Sequence, residues 1–494
     1  MEHNFIIKNF TDERAYHNTA ILIYLKAFRD VLGSVDIRIA NSLNQGYFTY
    51  AHLDRPLSST DIHKIWNRME DIISQDTEIK VEQVRSADAA RMWRASGYKE
   101  KGELFEQRDP DEMVEVVNLD GYRNFMYCTV LPSTGYINLF ELRTYRNGLL
   151  LRLPNALNPD SIPPYRDDDK LYDAFAETKR LRKQTGLDYL SDINRQIREG
   201  NTEGLIRGSE WLQKKQIENY ADMIARHGCR VVLIAGPSSS GKTTTAKRLC
   251  AAIAERIGEP LYLGTDDYFV ERNENPIGAD GKPDYECLEA IDLNLFRSQM
   301  ANLIHGQEVD IPEFDFINGT KVFGKRITRL GKNQILVIEG IHSLNDTLTE
   351  NIDRKDKFKL YISPLTLLSI DRHNRISTAD ARLLRRIVRD NQFRGYDAEA
   401  TIEMWPKVRA GESVNVFPYS SSADAVFNSS TVYETNLLKT YAEPLLEAIT
   451  EDSKQYAEAQ RILTFMKYFD KISEEDAEVI PDNAIIREFI GPRK

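Results

Sequence analysis

The C-terminal half of the chain is predicted to be an α/β domain, a doubly wound parallel sheet. A separate N-terminal α+β segment and a helical connector precede it. Three observations predict this. From Cys229 to about Ile449, short apolar runs alternate with helical stretches, as in a parallel sheet covered on both faces. One run, Val231-Val232-Leu233-Ile234-Ala235, leads directly into Gly-Pro-Ser-Ser-Ser-Gly-Lys-Thr at 236–243. Another, at 334–338, ends on an acid, Glu339, where open α/β sheets bind ligands.

The 236–243 segment has the G-x-x-x-x-G-K-[ST] spacing of a phosphate-binding P-loop, set after a strand and before a helix. The fold is therefore predicted to be of the P-loop NTPase type. Glycines at 236 and 241 let the backbone curl so that the N–H groups of Ser238, Ser239, Ser240 and Gly241 face a phosphate. Lys242 reaches the terminal phosphates, Thr243 offers a hydroxyl to Mg²⁺, and Thr244 continues the amide row into the helix N-terminus. A nucleoside triphosphate and Mg²⁺ are the ligands this segment calls for.

The domains are read as 1–165, an α+β segment; 166–228, a helical connector; 229–450, the P-loop domain; and 451–494, a docking tail. The Pro- and Asp-rich stretch 158–169 marks the first boundary. Before it, Ser59 and Thr60 are candidate N-caps for a helix with the apolar face Ile62, Ile65, Trp66, Met69 and Ile73. Runs at 46–50 and 136–140 read as strands. In the connector, Ile217, Tyr220, Ala221 and Ile224 form a packing stripe. The tail ends in an Ile-rich stretch expected to dock on the body.

Composition narrows the function classes. No apolar stretch in the 494 residues approaches the roughly 20 a spanning helix needs, and the first ten residues do not read as a signal peptide. The four cysteines (128, 229, 250 and 287) form no C-x-x-C pair, arguing against disulfides or a cysteine zinc site. A cytoplasmic location is expected. Net charge of −11 disfavours a broad nucleic-acid surface, and a homo-oligomer is allowed.

Beyond the P-loop, three further elements point to phosphoryl transfer. The run at 261–264 leads to Thr265-Asp266-Asp267-Tyr268-Phe269; Asp266 is placed to orient an acceptor hydroxyl, accept its proton and face the metal, with Tyr268 against a sugar or base. Glu339 is placed like a Walker-B acid, holding Mg²⁺ or its water. Later, Arg382, Arg385, Arg386 and Arg389 recur along one side of a helix that Thr378 caps and Gly395 ends. Such a stripe is either a solvated face or a lid whose arginines neutralise charge on the transferred group.

Together these residues resemble the uridine kinase and phosphoribulokinase family over roughly 229–430. In that family a strand-end Asp followed by aromatics supplies the base, which falls on Asp266. The sugar-contacting segment N-F-D-H-P-D-A-x-D is similar to 284–292, which places Glu286 at the ribose hydroxyls. The lid pattern R-R-x-x-R-D-x-x-x-R-G matches Arg385, Arg386, Arg389, Asp390, Arg394 and Gly395. The resemblance implies ATP-dependent phosphorylation of a nucleoside-like hydroxyl. It departs where pyrimidine is read: Phe314 and Gly319 replace the Tyr and His of V-Y-D-F-x-x-H, and Tyr396 and Met404-Trp405 replace other polar positions. Uridine as the acceptor does not follow.

Residues 10–150 resemble the second N-terminal, editing-type domain of threonyl-tRNA synthetases, through 46–50, Leu53-Asp54-Arg55-Pro56-Leu57 and Pro132-Ser133-Thr134-Gly135. The family's H-x-x-x-H centre falls on His17 and Ile21, and Val130 stands at a further His position. Hydrolysis or zinc binding is not expected there. Two readings stay open: an ATP-dependent kinase of a nucleoside-like acceptor, or a nucleotide-binding sensor that contacts tRNA through its N-terminal segment.

Overall fold

The computed structural model describes residues 5–127, 129–278, 281–366 and 368–493, so Cys128 lies outside the described residues. The N-terminal segment opens on α1 (Phe10–Leu32), where the Asn9 side chain accepts from the N–H groups of Thr11 and Asp12. Strands β1 (Asp36–Leu43) and β2 (Gly46–His52) follow, then α2 (Ser59–Ser74). The cap of α2 is Ser58, one residue before the expected Ser59 or Thr60. Its hydroxyl accepts from the Asp61 N–H while the Asp61 carboxylate accepts from the Ser58 N–H. The buried face of α2 is Ile65, Met69 and Ile72, and Trp66 stays exposed.

Next come β3 (Ile79–Arg85), α3 (Ser86–Ala95), α4 (Lys99–Glu106), β4 (Met113–Leu119) and β5 (Tyr122–Asn124), with the three strands forming one antiparallel sheet. β6 (Glu141–Tyr145) and β7 (Gly148–Arg152) complete a second sheet, ordered β1-β2-β7-β6. The strand expected at 136–140 does not form. Thr134–Tyr136 is a 3₁₀ turn, and the Tyr16 hydroxyl accepts the Asn138 and Leu139 N–H groups that a ladder would need.

The connector consists of α5 (Asp169–Thr185), α6 (Leu190–Arg198) and α7 (Thr202–His227). It leads into β8 (Val231–Ala235), α8 (Lys242–Ile257), β9 (Leu261–Gly264) and α9 (Leu293–Ile304). Four short strands follow: β10 (Glu308–Asp310), β11 (Glu313–Asp315), β12 (Thr320–Val322) and β13 (Ile327–Arg329). They pair as β10 with β13 and β11 with β12. Then come β14 (Leu336–Glu339), β15 (Lys357–Ser363), α10 (Thr378–Phe393), α11 (Ala398–Asn415), β16 (Ala425–Asn428) and α12 (Glu434–Glu447). The tail carries α13 (Tyr456–Met466) and the short α14 (Arg487–Ile490).

The five-stranded sheet is parallel throughout, in the order β16-β15-β8-β14-β9. Its side chains alternate between two cores, as a period of two requires. Val232, Ile234, Val337 and Ile362 face a core built with α7, α8, α10, α12 and the tail. Val231, Leu233, Leu336 and Ile338 face the other, where they meet α9 and the N-terminal residues Phe48, Tyr50 and Leu150.

The N-terminal sheet is thus buried on both sides. Leu150 joins this second core, while Leu149 and Leu151 pack with α1 and α2 in a third. That double burial explains why β7 reads as a continuous apolar run. In the tail, Ile480, Ile485, Ile486, Phe489 and Ile490 are all buried in the first core. At about 1.5–3 kcal/mol for each large side chain withdrawn from water, such burial holds the tail against the body. Among the described residues, no helix is long and apolar enough to cross a membrane.

Candidate active site

β8 ends at the middle of the sheet, and the chain must turn sharply there before α8 begins. A Cβ on Gly236 would lie 2.1 Å from the Ile362 carbonyl oxygen, so only glycine fits beside β15. Ser239 (φ 59°) and Gly241 (φ 80°) are both left-handed, and this curls the loop into a concave row of amides. Among the described residues, the buried hydroxyls of Ser239 and Ser240 have no hydrogen-bond partner, and Lys242 Nζ donates only to the Pro237 carbonyl, at 3.2 Å. Buried donors without acceptors suit an anionic ligand.

The parallel register sets Glu339 beside Ile234 on one side and Gly264 on the other, so three strand ends converge. The Thr243 hydroxyl donates to Glu339 Oε2 at 3.2 Å, and the Tyr262 hydroxyl reaches the same oxygen at 3.3 Å. Burial pushes the Glu339 carboxyl up to about 7, with Lys242 pulling it down and Asp266 pushing it up. Asp266 sits on the 3₁₀ turn after β9, exposed at the cleft surface. Desolvation raises its carboxyl above the ordinary value, against the pull of Lys242 and then Arg394.

Glu286 comes from the loop before α9 and lies against α11, where a Cβ on Gly411 would stand 3.2 Å from its own Cβ. Desolvation and the nearby Glu412 raise its carboxyl, while Lys242 and Arg386 lower it. Lys242 therefore acts on Glu339, Asp266 and Glu286 alike. Phe314, on β11, packs its ring 5.6 Å from Phe269 and 5.1 Å from Phe316 in an aromatic cluster.

Tyr268 does not face the cleft. Its ring is fully buried against Phe296, and its hydroxyl donates to Gln299 Oε1 at 2.8 Å. The 3₁₀ turn that exposes Asp266 turns Tyr268 inward, so it is withdrawn as a substrate contact.

The arginine helix α10 is largely buried and is not a solvated face. Its cap is Ser377 in place of Thr378, and the helix ends at Phe393 with Gly395 in the left-handed region just beyond. Arg382 and Arg385 are not lid residues, because both are tied beneath the P-loop. Arg382 Nη1 donates to the Ser238 carbonyl and to Glu412, and Arg385 Nη1 donates to the Ser239 carbonyl. Arg386 Nη1 donates to the Ser238 hydroxyl at 2.9 Å, one side of the loop. Asp390 gathers Arg386, Arg389 and Arg394, at 3.1, 2.7 and 3.7 Å.

Two acids that the motifs do not announce complete the site. Glu412 Oε1 accepts the Ser238 N–H at 2.7 Å. Glu488, from the tail, accepts both the Thr244 N–H (3.3 Å) and the Thr244 hydroxyl (2.7 Å).

The stretch 231–436 matches the model of the phosphoribulokinase / uridine kinase family. The chain is similar to the uridine kinase of Mycoplasma genitalium, 27% identical over 36% of this chain and 75% of that protein. It is also similar to the uridine kinase of Deinococcus deserti, 28% identical over 35% of this chain and 75% of that protein. Among solved structures, a possible uridine kinase from Bacillus stearothermophilus aligns over 43% of this chain and 99% of its own, at 18% identity and a TM-score of 0.29. Each of these likenesses covers less than half of this chain.

Proposed function

We propose that the chain transfers the γ-phosphoryl group of ATP to a hydroxyl of a nucleoside or nucleoside-like acceptor. The observation that carries this reading is the convergence of the P-loop, Glu339 and Asp266 at three adjacent strand ends, with Lys242 among them. In this reading the amides of 236–244 and Lys242 cradle the phosphates, and Glu286 meets the acceptor's sugar hydroxyls. Asp266 orients the attacking oxygen and accepts its proton as the new P–O bond forms. Arg386, Arg389 and Arg394 neutralise the transferred group, and ADP leaves with the bonding pair.

Mg²⁺ fits the residues present. A hydroxyl and a buried carboxylate that lacks a cation stand 3.2 Å apart at the loop. Among the described residues no group of three His, Cys, Asp or Glu could hold a metal alone. That is the arrangement in which Mg²⁺ takes one or two protein oxygens and completes its shell with phosphates and water. Thr243 and Glu339 would hold it, Asp266 would face it, and bound there it would offset charge on the phosphate oxygens.

Because the Glu339 carboxyl lies near 7, its proton competes with the metal below neutrality. Mg·ATP affinity is expected to rise with pH, up to about tenfold per unit, and to level off above 7. Calorimetry between pH 5.5 and 8 in two buffers of different ionisation enthalpy reads both the affinity and the released proton; a flat profile removes Glu339 from the metal site. Without metal the sign for stability is opposite: a carboxyl raised from its unfolded value favours the folded state at low pH, and that contribution fades as pH climbs from about 4.5 to 7.

The acceptor is not proposed to be uridine. Tyr396 is exposed, while Trp405 is buried with its ring under Arg382, so neither supplies the polar edge that a pyrimidine reader needs. ATP consumption measured against pyrimidine nucleosides, purine nucleosides and simple polyols tests the reading. A sensor gives no acceptor-dependent turnover with any of them. One contact favours the sensor: Glu488 occupies the Thr244 N–H that a nucleotide's α-phosphate would take. Glu488→Gln is expected to lower the KM for ATP by about 2–10-fold, the scale of a charge at a helix N-terminus. A KM that rises instead makes Glu488 a support of the loop.

We place the divisions of the chain at 165/166, 228/229 and 450/451, and the N-terminal segment as a synthetase-like module without hydrolytic function. His17 supports the latter. Its Nε2 donates to the Pro154 carbonyl and its Nδ1 accepts from the Tyr47 hydroxyl, which leaves no lone pair for a metal.

A further inference from the structure

Between the N-terminal segment and the kinase domain lies a cavity of about 850 Å³, within the usual range for small-molecule sites. One wall is N-terminal, including His17, Tyr47 and Met126; the opposite wall is Arg375, Trp405 and Arg409 of the kinase half. Helix α11 separates this cavity from the proposed acceptor site: Trp405, Arg409 and Ser413 line the cavity, while Gly411 faces Glu286.

Three guanidinium groups meet aromatic rings along its walls. Arg409 lies 3.6 Å over Phe10, Arg382 5.1 Å over Trp405, and Arg375 5.8 Å over Tyr47. Arg409 is ion-paired with Glu13 and Arg382 with Glu412. Among the described residues, the Arg375 side chain has neither ion pair nor hydrogen bond. Beside it is His373, only 3% exposed, whose Nε2 has no partner. Its Nδ1 is held between the Lys101 ammonium at 3.1 Å and Asn124 Oδ1 at 3.2 Å. A buried ring nitrogen without a partner and a guanidinium without a counter-charge share one cavity, with stacking surfaces around them.

We propose that this cavity is a second ligand site, taking a small planar organic anion: a ring system bearing one phosphate or carboxylate. The anion pairs with Arg375 beside the unpartnered His373 Nε2, and the ring lies among Tyr47, Trp405 and Phe10. The His17–Tyr47 hydrogen bond then fixes a stacking surface, and this gives the N-terminal segment a binding role in place of hydrolysis. The same cavity reaches Pro237 and Arg382, and Arg382 holds the Ser238 carbonyl, so an occupant touches the back of the P-loop.

The test separates this site from the nucleotide site. Full-length protein carrying Lys242→Ala, which disables the P-loop, is titrated by calorimetry with adenosine 5′-monophosphate and, separately, with indole-3-acetate. Saturable binding of either supports the proposal, and which of the two binds assigns phosphate or carboxylate. Adding Arg375→Ala is expected to weaken that binding at least about tenfold, the scale of one charge-assisted contact. Ala410→Trp, which fills the cavity from α11, abolishes it while the melting profile stays cooperative. If neither probe binds to the Lys242→Ala protein, or if binding survives both cavity variants, the proposal is overturned whether or not kinase turnover has been found.

Discussion

Asp266→Asn is expected to cut acceptor-dependent turnover at least a hundredfold while ATP still binds. General-base removal costs about 10²–10⁴-fold, and Asp266 is the base in the proposed reaction. The turn after β9 holds it at the strand end next to Glu339, on the exposed side of the cleft. Desolvation raises its proton affinity above the ordinary carboxylate value, against the pull of Lys242. Asparagine keeps the size and can still accept a hydrogen bond from the hydroxyl, but it cannot take the proton. The variant should therefore lose kcat with little change in the KM for ATP, since phosphate binding rests on the loop amides and Lys242. Steady-state rates with the best acceptor, with a nucleotide-binding isotherm alongside, read both quantities. Unchanged turnover would remove Asp266 from the chemistry and shift the role to Glu286, another raised carboxyl near Lys242.

How far the sequence reveals this site depends on how local each feature is. The P-loop, Glu339 and Asp266 are legible because each is a strand followed by a turn, and the parallel sheet lines up its carboxyl ends. Tyr268 is not legible in this way, because the 3₁₀ turn after β9 sends its ring into the core while Asp266 stays exposed. Glu412 and Glu488 carry no local signal. They reach Ser238 and Thr244 across 174 and 244 residues of chain, and only packing of α11 and the tail brings them there. Arg382 and Arg385 show the same limit from the other side. Their spacing correctly places them on one face with Arg386 and Arg389, but spacing cannot say that this face lies beneath the P-loop. The cavity between the halves is likewise invisible, because its two walls come from segments far apart in the chain.

Arg385→Ala is expected to destabilise the fold by about 3–5 kcal/mol, the cost of breaking a buried ion pair by removing one partner. Arg385 is fully buried, its guanidinium forked onto the Glu434 carboxylate with Nη2–Oε2 at 2.6 Å. It also donates to the carbonyls of Ser239 and Ser429, so the alanine leaves a buried carboxylate without its counter-charge and takes a donor from each carbonyl. Arg385→Met with Glu434→Met removes both charges and refills the volume; it should recover much of the loss, since a buried pair often does little better than an apolar pair of similar size. Denaturant melts of the single and double variants give this comparison directly. The double variant separates two roles that the single one confounds. If the Ser239 contact shapes the phosphate cradle, the double variant folds yet binds ATP weakly. If it binds ATP as the parent does, Arg385 serves the core alone, and the loop's geometry is set by Arg382 and Glu412.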